Sequence, residues 1–119
     1  MIRPLAALAG LSLLALATQA SAHAHLTSSV PAADAVVAAP KQLILVFSEK
    51  LQPKFSGLTV TMPQINGMAA PMKVTVSKDR TSLIATPTQP LSAGVYKVEW
   101  RAVTADTHRM TGAYSFTVR

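Results

Sequence analysis

The chain has 119 residues, a formal net charge of +6 and no cysteine. The lack of cysteine excludes disulfide bonds, a cysteine nucleophile and a lipid-modified N-terminal cysteine. The 11 Lys and Arg residues are scattered singly and aromatic residues make up only 5% of the chain, so we expect no nucleic-acid partner. The length corresponds to a single small domain.

The first 22 residues resemble a secretory signal peptide. Arg3 is followed by an apolar run over residues 5–17, and Ala20-Ser21-Ala22 fits the A-x-A cleavage pattern. The apolar run is shorter than the roughly 20 residues that span a bilayer. We therefore predict cleavage after Ala22 and a periplasmic mature domain, residues 23–119, that does not span the membrane. Ala22-His23-Ala24 also fits A-x-A, and cleavage there would remove His23.

Short β-rich segments separated by turn residues follow the predicted signal peptide. This spacing, without a helical period, predicts an all-β protein: a seven-stranded antiparallel Greek-key β-sandwich or barrel. The predicted strands are residues 25–30, 42–48, 57–62, 72–77, 82–86, 94–103 and 112–119. Residues 31–40 are predicted to be a connector rich in small residues.

The sequence "PLSAGVYKVEW" resembles a tyrosine corner, in which a tyrosine at the start of a strand bonds back to the preceding loop. Tyr96 would be that residue. The alternation along residues 94–103 places Trp100 on the same face as Tyr96. We therefore predict that Trp100 is a core residue rather than a ligand-stacking one.

Two of the three histidines, His23 and His25, surround the predicted cleavage site. Cleavage after Ala22 would give His23 a free α-amine, whose low pKa lets it lose a proton to a metal. His23 would then offer two nitrogen donors, a set that suits Cu(II). The sequence "HAH" also fits a peptide mode in which the amine, two deprotonated amides and the His25 imidazole bind Cu(II). We treat His25 as an auxiliary residue near the site and the peptide mode as the minority hypothesis.

The third histidine, His108, lies two positions after Asp106 in "TADTHRMTG". In an extended segment both side chains would face one site. His108 would supply a further nitrogen, and Asp106 would either bind the metal or orient a ligand. The alternative is a polar turn with an exposed histidine. Glu49 follows a predicted strand and is either a solvated charge or a further carboxylate near the metal.

Met62, Met68 and Met72 fall within eleven residues beside proline and glycine. Thioethers are soft donors that select Cu(I), but methionine also fills gaps in protein cores. From the sequence alone, a weak Cu(I) site and packing in the core are equally good interpretations of these three methionines. Met110, after His108, is predicted to pack.

The chain resembles the CopC family of periplasmic copper-binding and copper-resistance proteins. The resemblance rests on "HAHL", "SSVPAADAVV", "LVFSEKL", "SGLTV", "PLSAGVYKVEWRAVTADTHRMTG" and "YSFTVR". It implies a Greek-key β-sandwich with a Cu(II) site formed by the His23 amine and imidazole, His108 and Asp106, and it places Glu49 near that site. Some members hold Cu(I) in a methionine-rich loop that also contains a histidine, which this chain lacks there.

The resemblance implies a protein, expected to be monomeric, that sequesters or delivers Cu(II). Its partners would be an inner-membrane copper importer of the CopD type or other periplasmic copper proteins. The alternative is a small histidine-brace copper oxidase or monooxygenase. We expect no enzyme, because the chain is short, has few aromatic residues and lacks the common catalytic motifs. A metal-free structural β-sandwich is the third class.

Overall fold

The computed structural model describes residues 25–119. The predicted signal peptide, its cleavage site and His23 lie outside the described residues. Residues 25–119 form nine strands and one turn of 3-10 helix at Pro63–Ile65. The strands are β1 Leu26–Val30, β2 Val36–Val37, β3 Leu43–Phe47, β4 Gly57–Met62, β5 Met68–Ala69, β6 Met72–Val76, β7 Ser82–Pro87, β8 Gly94–Val103 and β9 Arg109–Val118.

The strands form two sheets that pack face to face. One sheet has the order β1-β3-β7-β6 and the other has the order β2-β9-β8-β4-β5. All pairs are antiparallel except β2 with β9, which is parallel. The predicted β-sandwich class is confirmed, although the strand count is nine rather than seven. The two additional strands, β2 and β5, have two residues each.

The core lies between the sheets and follows from the alternation of apolar residues along the long strands. On β8, the predicted inward set of Tyr96, Val98, Trp100 and Ala102 is at most 8% exposed. The ring of Trp100 meets that of Phe47 from β3 edge-on, with centroids 5.1 Å apart. Trp100 is therefore a core residue, as predicted, and it ties the two sheets together.

The tyrosine corner is present at the end of the sandwich where β8 begins. The Tyr96 hydroxyl donates a hydrogen bond of 2.7 Å to the backbone carbonyl of Ser92. The Tyr96 ring is buried and stacks on Phe116 of β9. This contact fixes the loop before β8, and Met110 at the other end of the β8–β9 hairpin packs against the core, as predicted.

The start of β1, the segment after β3 and the β8–β9 loop meet at the opposite end. The backbone N–H of Gln52 donates to the Val103 carbonyl, and Leu51 pairs with Thr104. The residues predicted for the Cu(II) site that fall within the described residues lie on these segments. No helix within residues 25–119 has the length and apolar character needed to cross a membrane.

Candidate metal centre

Thr104 organises the loop that joins β8 to β9. Its side chain is buried, and its hydroxyl accepts the backbone N–H of His108 at 3.1 Å. Its own backbone N–H donates to the His108 carbonyl at 2.9 Å, and its carbonyl accepts from the N–H of Thr107. These bonds close a five-residue loop that holds the backbone of His108 in place.

Asp106 and His108 are brought together within this loop. His108 Nδ1 lies 3.0 Å from Asp106 Oδ2, and both side chains are about half exposed. The Thr104 hydroxyl donates to Asp106 Oδ1. This hydrogen bond, helped by the nearby His108, holds the pKa of Asp106 below its ordinary value. Asp106 is therefore a carboxylate at neutral pH, and both of its oxygens are engaged.

The prediction that Asp106 and His108 face one site from an extended segment was wrong about the backbone. Residues 105 and 106 form a turn, and Thr107 has a φ of 69°, in the left-handed region. The side chains meet because the chain turns between them. An imidazole whose Nδ1 bonds to a carboxylate presents Nε2 to a metal, and such a carboxylate orients the ring. The pair thus has the form of a histidine metal ligand with its orienting acid.

His25 lies at the start of β1 and is held by Ser48, the residue after β3. The His25 backbone N–H donates to Ser48 Oγ at 2.9 Å, and the His25 carbonyl accepts the Ser48 N–H at 3.0 Å. The His25 imidazole Nδ1 lies 3.5 Å from the same hydroxyl. The backbone amide of His25 is therefore engaged by the protein, which opposes the peptide mode of copper binding, because that mode requires this amide to lose its proton.

A short segment links His25 to the metal loop. Ser48 bonds to His25, and two residues later the Lys50 carbonyl accepts the N–H of Ala105. Two residues of extended chain span at most about 7 Å. The N-terminal end of β1 and the loop carrying Asp106 therefore lie on the same end of the sandwich and are connected through the bend at residues 48–50.

Glu49 lies in this segment and is partly buried. Within residues 25–119, no three His, Cys, Asp or Glu side chains are grouped closely enough to hold a metal ion. Glu49 and His25 are thus not assembled with Asp106 and His108 into a three-membered set. The described residues thus bring together two of the predicted Cu(II)-site residues, Asp106 and His108, and His23 lies outside them.

The three methionines have different environments. Met62 is a core residue, 5% exposed, and Met72 is partly buried against the core. Met68 pairs with Met62 across the β4–β5 hairpin and is 51% exposed. The structure therefore gives Met62 and Met72 packing roles and leaves Met68 as the most accessible sulfur of the three.

The roles of Thr104 and Ser48 were missed by sequence reasoning. A threonine two residues before an aspartate is typical of side chains that bond to nearby polar groups, so Thr104 had a weak signal. Ser48 had none, since its contact with His25 depends on the pairing of β1 with β3.

Comparisons with known proteins agree with one another. The family model for the CopC domain matches residues 26–119. The chain is 48% identical to Copper resistance protein C of Escherichia coli over 96% of this chain and 95% of that protein. The crystal structure of PcoC, a methionine-rich copper resistance protein from E. coli, superposes with a TM-score of 0.76 at 48% identity and covers 82% of this chain and 100% of that one. CopC from Methylosinus trichosporium OB3b gives a TM-score of 0.73 at 28% identity, covering 81% and 93%.

Proposed function

The chain belongs to the CopC family, and on this basis we propose that it is a periplasmic copper-binding protein of copper resistance. It takes up Cu(II) as cargo and sequesters it or delivers it onward. The donors are the α-amine and imidazole of His23, once the signal peptide has been removed after Ala22, and the imidazole of His108. Asp106 is the carboxylate of the site.

The observation that carries this proposal is the Asp106–His108 pair at 3.0 Å in a loop closed by Thr104. A preformed imidazole with its orienting carboxylate lowers the ordering cost of metal binding. Nitrogen donors with a carboxylate suit Cu(II), which leads the divalent affinity order. The engagement of the His25 amide by Ser48 supports the folded site over the peptide mode.

Titration of the secreted protein with Cu(II), followed by EPR, tests this site. We expect one ion per chain with a nitrogen-rich signal. Replacing His108 by Ala removes a ligand and should weaken binding by more than the about 10–100-fold loss typical of outer-sphere partners. His25→Ala is the matched control, because it removes an imidazole that the folded site does not use. If Cu(II) affinity falls in His25→Ala and not in His108→Ala, copper binds in the peptide mode and the proposal is refuted.

The intact mass of the secreted protein tests the first residue. A mass that corresponds to a chain starting at His23 supports the proposal. A mass that corresponds to a chain starting at His25 shows that both donors of His23 are absent. Glu49, on the segment beside His25, is proposed as a nearby acid that adds to the attraction for the ion.

We also propose that Met68 is the main Cu(I) donor among the three candidate methionines, because it is the most exposed of them. Met62 and Met72 pack against the core, so any Cu(I) binding here is weak. Met68→Leu should remove the Cu(I) affinity of this region, whereas a three-thioether site would lose affinity equally in Met62→Leu.

The related proteins named above are called copper resistance proteins, which favours a binding role over a histidine-brace oxidase. The partners we propose are an inner-membrane copper importer of the CopD type or other periplasmic copper proteins, and the protein acts as a monomer. Oxygen uptake by the copper-loaded protein with a reductant and a polysaccharide tests the enzymatic alternative, and a stoichiometric oxidised product establishes it.

A further inference from the structure

A basic cleft lies on the outer face of the β8–β9 hairpin, beside the metal loop. Its volume is about 310 Å³, and it is lined by Lys54, Phe55, Arg101, Val103, Arg109 and Thr111. Three of these side chains carry a positive charge, and none of the lining residues is acidic. We propose that this cleft, which we call the basic cleft, docks an acidic segment of a partner protein.

The three cations come from three different parts of the chain and are held on a rigid frame. Arg101 on β8 pairs with Thr111 on β9, and Val103 pairs with Arg109. Lys54 and Phe55 belong to a loop that is tied to the same strand. In that loop, Ser56 Oγ accepts the N–H of Val103 at 3.0 Å. The backbone that carries the cleft is therefore ordered before a ligand arrives, which reduces the ordering cost of binding.

Gly57 positions the head of Arg101. It lies opposite Arg101 across the β4–β8 pair, and a Cβ at Gly57 would come within 3.0 Å of the guanidinium. The guanidinium thus lies against the backbone of β4 at the edge of the cleft. Within residues 25–119, no carboxylate forms an ion pair with Lys54, Arg101 or Arg109, and the nearest acid along β8, Glu99, is paired with Lys97 at 3.9 Å.

A protein segment fits this cleft better than a small anion does. The cations are exposed, and a single exposed ion pair contributes little, so useful affinity needs several carboxylates on one chain. Phe55 is 55% exposed, and Val103 also lines the cleft. Arginine and aromatic side chains together are typical of protein interfaces. The occupant is therefore an acidic segment that also carries an apolar side chain.

The location gives this surface a role in copper exchange. Arg109 directly follows His108, so a partner docked in the basic cleft lies next to the Asp106–His108 pair. Opposite charge also accelerates encounter and sets orientation. The docking inference rests on the cleft alone, whereas the statement that the partner exchanges copper rests on the proposed function.

The test uses a capped synthetic peptide of ten Asp and Glu residues interrupted by one central Leu, titrated into the metal-free, ¹⁵N-labelled secreted protein. We expect saturable shifts of the backbone amides at Phe55, Arg101 and Arg109. Arg101→Glu reverses one charge and should weaken binding about tenfold at low salt. Lys54→Glu, in the exposed loop, is a second variant with the same expected direction.

Lys73→Glu is the matched control, because it makes the same charge change at an exposed position of β6 in the other sheet. It should alter peptide affinity by less than about threefold. Equal losses in Lys73→Glu and Arg101→Glu, shifts outside the cleft, or equal binding of an Asn/Gln version of the peptide would each overturn the proposal. Cu(II) affinity measured without peptide separates the docking inference from the proposed function. If the wild-type protein binds no Cu(II), the proposed function is refuted, whereas the docking inference is unaffected.

Discussion

Replacing Ser48 by Ala should shift the protein towards the peptide mode of copper binding. In the wild type, the His25 amide that this mode must deprotonate donates to Ser48 Oγ at 2.9 Å. Alanine removes this acceptor but keeps the second tie, from the Ser48 N–H to the His25 carbonyl. The competing mode should therefore gain population without unfolding of β1.

The magnitude follows from one hydrogen bond. A typical intramolecular hydrogen bond contributes about 0.5–1.5 kcal/mol, and both residues are exposed, which places this one at the low end. A change of about 0.5–1 kcal/mol corresponds to a two- to fivefold shift between the two modes. Since the peptide mode releases amide protons, its share should rise further as pH increases.

Visible spectroscopy of the Cu(II)-loaded protein measures this shift. A planar set of four nitrogens, including two amides, has a stronger ligand field and absorbs at higher energy than a site of amine, imidazoles and carboxylate. Thr27→Ala is the control, because Thr27 Oγ1 donates to the Val46 carbonyl at 3.1 Å and so makes a similar contact between the same strands. An unchanged spectrum in Ser48→Ala, or an equal change in Thr27→Ala, would show that Ser48 does not select the binding mode.

Three further predictions concern the site and the core. Asp106→Asn should weaken Cu(II) binding about 10–100-fold while EPR keeps its nitrogen-rich signal, and an unchanged affinity contradicts the role of the carboxylate. Gly112→Ala should cost about 2–3 kcal/mol of unfolding free energy in urea, because its Cβ would overlap the Trp100 ring; the exposed Ala113→Gly is the comparison and should cost less than about 1 kcal/mol. Burial raises the pKa of Tyr114, so the folded state holds this proton more tightly than the unfolded chain does. The stability it contributes is full below about pH 10 and falls as the pH rises through the raised pKa; Tyr114→Phe should flatten that alkaline loss, measured as urea midpoints between pH 8 and 11.

Most of the fold could be predicted because long strands carry a period of two. The bounds of β4 and β8 were predicted to the residue, since alternation continues through both strands. β9 begins at Arg109, earlier than predicted, because its pairing with β8 extends to Val103. β2 and β5 were missed, since two residues carry no periodicity, and β2 also pairs with β9 at the far end of the chain.

The candidate site was predictable in its residue types and less so in its geometry. The spacing predicted that the Asp106 and His108 side chains lie close together, as they do, but the prediction assumed an extended backbone where the chain forms a turn. The left-handed φ of Thr107 results from the bonds that Thr104 makes to residues 106–108, and a spacing rule contains no such information. The basic cleft could not be predicted for the same reason, because Lys54 is far from Arg101 and Arg109 in sequence and comes near them only through strand pairing.

The segment from Ser48 to Lys50 bears on the proposed Cu(II) site, because it links His25 to the loop that carries Asp106 and His108. It bonds to His25 on one side and to Ala105 on the other, and two residues of chain span at most about 7 Å. His23 is two positions before His25 in the sequence, and the backbone of His25 is held by Ser48. Two residues of chain therefore separate His23 from a fixed backbone position. Under the proposed function, cleavage after Ala22 gives His23 an α-amine and keeps its imidazole within two residues of His25. Cleavage after Ala24 removes His23 and turns the His25 nitrogen, which bonds to Ser48, into the α-amine. We therefore expect the position of the cut, and not only the presence of histidine, to determine whether His23 can supply nitrogen donors to the proposed site with Asp106 and His108.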